Sequence, residues 1–185
     1  MKNLKILVLS TVLAFSIKQA LAQEIQFTLH GLNPCTGKIE NVSFYSLKKG
    51  AIYSPKDSTG TCAIPDTGMY TLTFFDEDKH YTFKEFKTYS DTLRFPAIQF
   101  CQELTTRVSF SGYCCCGTLC EGKQVDYYSN GNKRIEGFFN KGKPIGKLNF
   151  YYPTGQLKLV EEYNKRGKLL REIQYDTKGN LMRTK

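Results

Sequence analysis

The last third of the chain says nearly the same thing twice, and that limits what it can become. Gly131, Gly155 and Gly179 stand 24 residues apart, as do Tyr128 and Tyr152, Phe139 and Tyr163, Asn140 and Asn164, and Lys141 and Lys165. A fixed period with turn residues and aromatics in phase marks a repeated supersecondary unit. Such a length holds two strands of roughly 7–8 residues and two turns, at roughly 3.3 Å per strand residue. Lys147 to Tyr152 places Leu148, Phe150 and Tyr152 on one face. Gln156 to Tyr163 places Leu157, Leu159 and Tyr163 on one face, with Lys158 and Glu162 on the other. Turns follow at Pro153-Thr154-Gly155, at Asn164 to Gly167 and at Asp176 to Asn180. A lone hairpin cannot bury its own face, so these units must stack. In each Tyr-Tyr pair alternation sends one ring inward, Tyr128 and Tyr152, and one outward, Tyr127 and Tyr151.

The Tyr-Tyr-x-x-Gly phrases at 127–131 and 151–155, each followed by an aromatic and an Asn-Lys turn, resemble the MORN-repeat variant. The resemblance covers about 60 residues and about two and a half repeats, the last reading Gln174-Tyr175 where the others read Tyr-Tyr. It implies stacked β-hairpins that act as a scaffold or binding surface rather than an enzyme. Some members of that family are labelled antitoxin components.

Upstream the pattern changes to short alternating strands. Ile25, Phe27 and Leu29 alternate with polar residues, as do Val42 to Leu47 and Tyr70 to Phe74. Asn33-Pro34, Lys49-Gly50, Ser54-Pro55, Thr59-Gly60 and Pro65 to Gly68 supply the turns. Period-2 alternation between turns predicts a small antiparallel sandwich. Thr61 to Leu72 also resembles the strand–turn–strand phrase of carboxypeptidase-regulatory-like and transthyretin-like sandwiches. The expected organisation is a leader over 1–22, a β-sandwich-like module over 23–113, a Cys-rich junction over 114–122 and hairpin repeats over 123–185.

The leader reads as an export signal. Lys2 and Lys5 precede the apolar run Ile6 to Ile17, and Ala20-Leu21-Ala22 offers the small residues of a cleavage site, giving Gln23 as the mature start. Export makes disulfides the default for Cys35, Cys62, Cys101, Cys114, Cys115, Cys116 and Cys120. Seven is odd, so one is left free or pairs with another chain. Cys35 with Cys62 is one plausible pair, and Cys101 with one of Cys114 to Cys116 another. The cluster reads as a covalent clasp between modules. A thiolate metal site would want a second closely spaced pair, which is missing.

Charge divides the same way. Residues 23–121 carry 9 Lys/Arg against 11 Asp/Glu, a net −2, whereas residues 122–185 carry 14 against 6, a net +8. The basic half is either a solvated surface or a patch for an anionic partner. Tyr127, Tyr151, Lys147, Lys158, Lys165 and Arg166 are the binding-surface candidates, their outward rings able to stack on sugars, to anchor a protein or merely to stiffen the sheet. Asp76-Glu77-Asp78 reads as a charged hairpin tip rather than a calcium site, Asn41-Val42-Ser43 as a chance glycosylation motif, and His30 and His80 as ordinary strand or surface residues. No catalytic motif, metal set or cofactor loop is present. The expectation is an exported, non-enzymatic binding or scaffold protein of the periplasm or cell surface, without cofactor. Its partner would be an unidentified protein or an envelope glycan, with peripheral envelope contact, no later membrane span and no nucleic acid. An immunity or antitoxin-like protein that binds a toxin, and a polysaccharide- or envelope-binding protein, are the alternatives.

Overall fold

The computed structural model describes residues 23–75, 77–104 and 109–185. The leader through Ala22 and Asp76 of the acidic run lie outside the described residues. The fold is all-β, and seventeen strands are described.

The first eight strands make two sheets around one core. β1 (Ile25–Leu32), β2 (Ile39–Asn41), β5 (Thr61–Ile64) and β8 (Thr88–Arg94) form one layer, and β3 (Ser46–Lys49), β4 (Ala51–Tyr53), β6 (Gly68–Phe74) and β7 (Glu77–Phe83) the other. Alternation does what it predicts: Ile25, Phe27 and Leu29 from β1 meet Tyr70, Leu72 and Phe74 from β6, all buried. Two details depart from a wholly antiparallel sandwich. β1 pairs with β8 in parallel, Gln26 opposite Thr88 through Leu32 opposite Arg94, and a parallel pair requires a long crossover that local pattern does not reveal. Val42 to Tyr45 is not strand, although Val42 and Tyr45 are buried. Tyr45 leaves the ladder to donate its hydroxyl to the carbonyls of Phe27 (2.9 Å) and Gly60 (3.0 Å), which ties a loop across the core.

β9 (Ile98–Leu104), β10 (Ser109–Cys115) and β11 (Thr118–Leu119) form a small sheet of their own. β12 (Gly122–Tyr127), β13 (Lys133–Asn140), β14 (Lys143–Tyr151), β15 (Leu157–Tyr163), β16 (Leu169–Tyr175) and β17 (Leu181–Thr184) follow as one antiparallel sheet in sequence order. This is the stack of hairpins that the period predicts. The small sheet covers its early strands: Ile98 and Cys120 pack with Ile135, Phe139 and Leu148, and Tyr113 lies against them. Ile98 and Tyr113 fall by sequence with the N-terminal module, yet their side chains pack into this second core.

The cysteine cluster does cross-link, and of the two expected pairs one forms, Cys101 with a member of the triplet, and the other is wrong. Cys35 bonds to Cys116, Cys101 to Cys114, and Cys115 to Cys120. Cys62 is the free thiol, not the partner of Cys35. The reason is facing: Cys62 sits opposite Phe27 on the core side of β5 and is buried, while Cys35 lies exposed in the β1–β2 turn. Three adjacent cysteines serve three partners because Cys114 and Cys115 alternate on β10 and Cys116 lies in the next loop. That loop, Cys116-Gly117, has φ of 52° and 81°, the positive pair a two-residue hairpin connection requires. Three disulfides place the chain in an oxidising, exported environment. Among the described residues no helix is long and apolar enough to cross a membrane.

A buried ion pair finishes the junction. Asp126 is fully buried and accepts from Arg134 Nε at 2.8 Å and from the backbone N–H groups of Ala97 (3.2 Å) and Ile98 (3.3 Å). Arg134 also donates to the carbonyl oxygen of Ile98. The segment between the two cores is thereby held on β12 and β13.

Candidate binding surface

The repeat sheet has two ends, and they do different work. At one end the turns 128–132, 152–156 and 176–180 are copies. Gly131, Gly155 and Gly179 have φ of 86°, 88° and 85°, a region that favours glycine. Each turn is closed by a backbone bond from its first N–H to its fifth carbonyl, at 2.9, 2.8 and 2.9 Å. Bulges recur in phase at Asp126/Tyr127, Phe150/Tyr151 and Gln174/Tyr175. They show that Tyr175 corresponds to Tyr127 and Tyr151, so Asp176, rather than Tyr175, stands where Tyr128 and Tyr152 stand. The inward tyrosines latch one repeat to the next: Tyr128 Oη donates to the carbonyl of Tyr151 at 2.7 Å, and Tyr152 Oη to that of Tyr175 at 2.9 Å. Asn130 and Asn132 add side-chain bonds to the carbonyl of Pro153, at 2.7 and 2.8 Å.

The candidates near this end are mostly occupied. Tyr127 is exposed, but the Tyr151 hydroxyl bonds to Glu136 Oε2 at 3.3 Å. Glu136 also holds Lys133 at 2.7 Å and Lys123 at 3.4 Å, and the Lys133 bond leads in keeping its carboxyl below the usual range. Lys147 pairs with Glu162 at 3.7 Å, and Lys158 lies over the Tyr152 ring at 5.6 Å. None of these four candidates, Tyr127, Tyr151, Lys147 and Lys158, lines the hollows that Lys165 and Arg166 border.

The opposite end is different. Lys141-Gly142, with φ of 49° and 74°, is the two-residue loop between β13 and β14. Asn164 to Lys168 forms the next turn, its Asn164 Oδ1 accepting from the N–H groups of Arg166 and Lys168 at 2.8 and 3.0 Å. The turns touch: a Cβ on Gly167 would lie 2.9 Å from Lys143 Cβ, so the Lys143 stem rests across that glycine. Lys141, Lys143, Lys165 and Arg166 are all exposed, and none makes an ion pair among the described residues. The neighbouring Glu121 carboxylate accepts from the backbone N–H of Lys141 at 2.7 Å.

Two hollows meet at this cationic ridge. One, of about 240 Å³, is bounded by Asn140, Lys141, Lys143, Lys165 and Arg166. The other, of about 220 Å³, adds Phe100 and Tyr113 from the small sheet and Tyr163 from β15. Phe100 is 61% exposed and meets Tyr113 edge-on at 5.6 Å. Burial pushes the Tyr113 hydroxyl up to about 12. Behind the slot, Tyr163 donates to Glu161 Oε2 at 2.8 Å. Burial and the opposed Glu172 raise the Glu161 carboxyl above its ordinary value, while the Tyr163 bond pulls the other way. Sequence reasoning named Lys165 and Arg166 here but missed Lys141, Lys143, Phe100 and Tyr113. Lys141 carried a signal, its phase with Lys165; Phe100 and Tyr113 carried none, because another sheet delivers them.

The remaining polar suspects do not gather. His30 Nδ1 lies 3.1 Å from Asn41 Oδ1, and His80 Nδ1 lies 3.0 Å from Thr71 Oγ1 in the other layer. Asp78 accepts from Thr73 Oγ1 at 2.7 Å, and Glu77 from the N–H of Ser129 at 3.4 Å. Among the described residues no three His, Cys, Asp or Glu side chains are grouped to hold a metal. The chain matches no family model, no curated protein and no solved structure.

Proposed function

We propose that this chain is an exported, non-enzymatic binding protein of the periplasm or cell surface, with the Lys141–Arg166 end of its hairpin sheet as the contact face. One observation carries the reading. Lys123, Lys133, Arg134, Lys147 and Arg183 are matched to carboxylates and the other cations of the sheet line neither hollow, whereas Lys141, Lys143, Lys165 and Arg166 gather around one hollow on two touching turns without a carboxylate partner among the described residues. They are held on two rigid turns, so an anionic partner can pair with them without ordering a loop first. The repeat supplies rigidity and the clasped N-terminal module supplies a covered end for the stack. The likeness to the MORN-repeat variant agrees with a scaffold role.

The test is retention of the oxidised mature chain on isolated envelopes. Wild type is retained at low salt and released as salt rises, because exposed charges are screened within about 10 Å at 0.1 M. The variant K141E/K143E/K165E/R166E, folded by circular dichroism, passes through. Equal retention of variant and wild type would sink this reading.

A further inference from the structure

We infer that the ligand of this face is an acidic polysaccharide, with sugar rings against the Phe100–Tyr113–Tyr163 slot and its carboxylate, sulfate or phosphate groups on Lys143 and Arg166. This rests on the reading above and adds the ligand's chemistry.

The argument begins with the placing of two kinds of group. Lys143 and Arg166 border both hollows, so the cations form the ridge between an open cationic groove and an aromatic slot. Phe100 presents a largely bare ring at that slot, and Tyr113 stands edge-on beside it. A bare aromatic ring gains from an apolar partner face, and a sugar ring offers its C–H face while its hydroxyls stay wet. An Arg fork beside such a ring suits planar carboxylate or tetrahedral sulfate and phosphate.

Shape favours a polymer. Each hollow is smaller than the ~300–1,000 Å³ usual for a small-molecule site. They lie side by side and share Lys143, Arg166 and Gly167, which suits a chain of repeated units laid across the ridge. The period contributes as well: equivalent lysines, Lys141 and Lys165, recur one repeat apart, matching a ligand whose charges also recur. A lipid surface would use the cations and leave the slot idle. A nucleic acid would use both, but the disulfides put this chain in an oxidising compartment away from cytoplasmic nucleic acid.

The experiment measures binding of the oxidised mature chain to polygalacturonate, dextran sulfate, neutral dextran, phosphatidylglycerol vesicles and a single-stranded oligonucleotide. Phe100→Ala is the discriminating variant, since an exposed ring can be removed without opening a core; K143A/R166A is its companion. Wild type binds at least one acidic polysaccharide at least about tenfold tighter than neutral dextran, through its charge-assisted bonds. K143A/R166A loses about tenfold on that polysaccharide and on vesicles alike. F100A loses about fivefold on the polysaccharide alone. Any of three results overturns the inference: F100A equal to wild type on the polysaccharide, neutral dextran bound as well as acidic, or vesicles or oligonucleotide bound more tightly. If envelope retention still depends on the four cations while F100A is silent, only the glycan inference fails. If charge reversal leaves retention intact, the contact face itself is wrong.

Discussion

Replacing Asp126 with Ala should unfold or nearly unfold the C-terminal half, and the size of the loss follows from the geometry. Asp126 is fully buried and Arg134 is only 9% exposed. Removing the carboxylate leaves the guanidinium charged and desolvated without its counter-ion, a break that costs about 3–5 kcal/mol. It also strands two backbone donors, Ala97 and Ile98. Their bonds at 3.2 and 3.3 Å are long, so the lower end of the ~1–3 kcal/mol for an unsatisfied buried group applies to each. The sum, about 5–7 kcal/mol, rivals the ~5–15 kcal/mol that holds an ordinary domain together. The assay is urea unfolding at 25 °C followed by circular dichroism and tyrosine fluorescence, since the chain has no Trp. Asp126→Asn keeps the size and some hydrogen bonding, so it should fold and lose less. Asp126→Leu with Arg134→Met should also lose less than Asp126→Ala, because no charge is left buried. A loss under about 1 kcal/mol for Asp126→Ala would refute the claim that this pair fastens the two cores.

The other expectations rest on separate features. Cys35→Ser with Cys116→Ser should cost about 4.5 kcal/mol, the chain-entropy value for a bridge of sequence separation 81, and should split one unfolding transition into two, checked by calorimetry. Native protein should give no reaction with a thiol reagent at pH 8 and one thiol per chain in denaturant, because Cys62 is buried and its thiol is pushed up to about 11. Glu161 titrates above its ordinary value, so the fold binds its proton more tightly than the unfolded chain does, and the group's effect on stability worsens as pH rises through that folded value. Glu161→Gln should therefore raise Tm at pH 7–8 and do little at pH 4, read by thermal melts across that range. Gly60→Ala should destabilise by more than the ~1–2 kcal/mol of a left-handed residue, since φ is 73° and a Cβ would sit 2.7 Å from the Val42 carbonyl oxygen.

Features written in neighbouring residues are legible in the sequence. The turns around Gly131, Gly155 and Gly179 can be read because a positive φ needs its glycine within the turn itself. The faces of β1 and β6 can be read because alternation there is unbroken. Alternation misleads on β15, where Leu159 and Glu161 share a face with Phe150 and Leu148, Val160 lies on the other, and a bulge at Glu162/Tyr163 shifts the register. Glu161 thus reaches a half-buried place that its charge gives no reason to expect. The parallel β1–β8 pair, the Cys35–Cys116 bridge and the arrival of Phe100 beside Arg166 all join distant residues, and no local pattern records such meetings. The candidate site suffers most, because two of the three rings of its aromatic slot come from a second sheet.

Tyr128 reaches forward to Tyr151, Tyr152 to Tyr175, and at the third place in that series the chain writes Asp176. Its carboxylate turns back on its own loop, accepting from Lys178 and Asn180 at 2.8 Å each, and offers no hydroxyl to a further hairpin. The series of latches therefore carries its own full stop at Tyr152. Asp176→Tyr is the single change that would offer the third turn the same hydroxyl handhold the first two have.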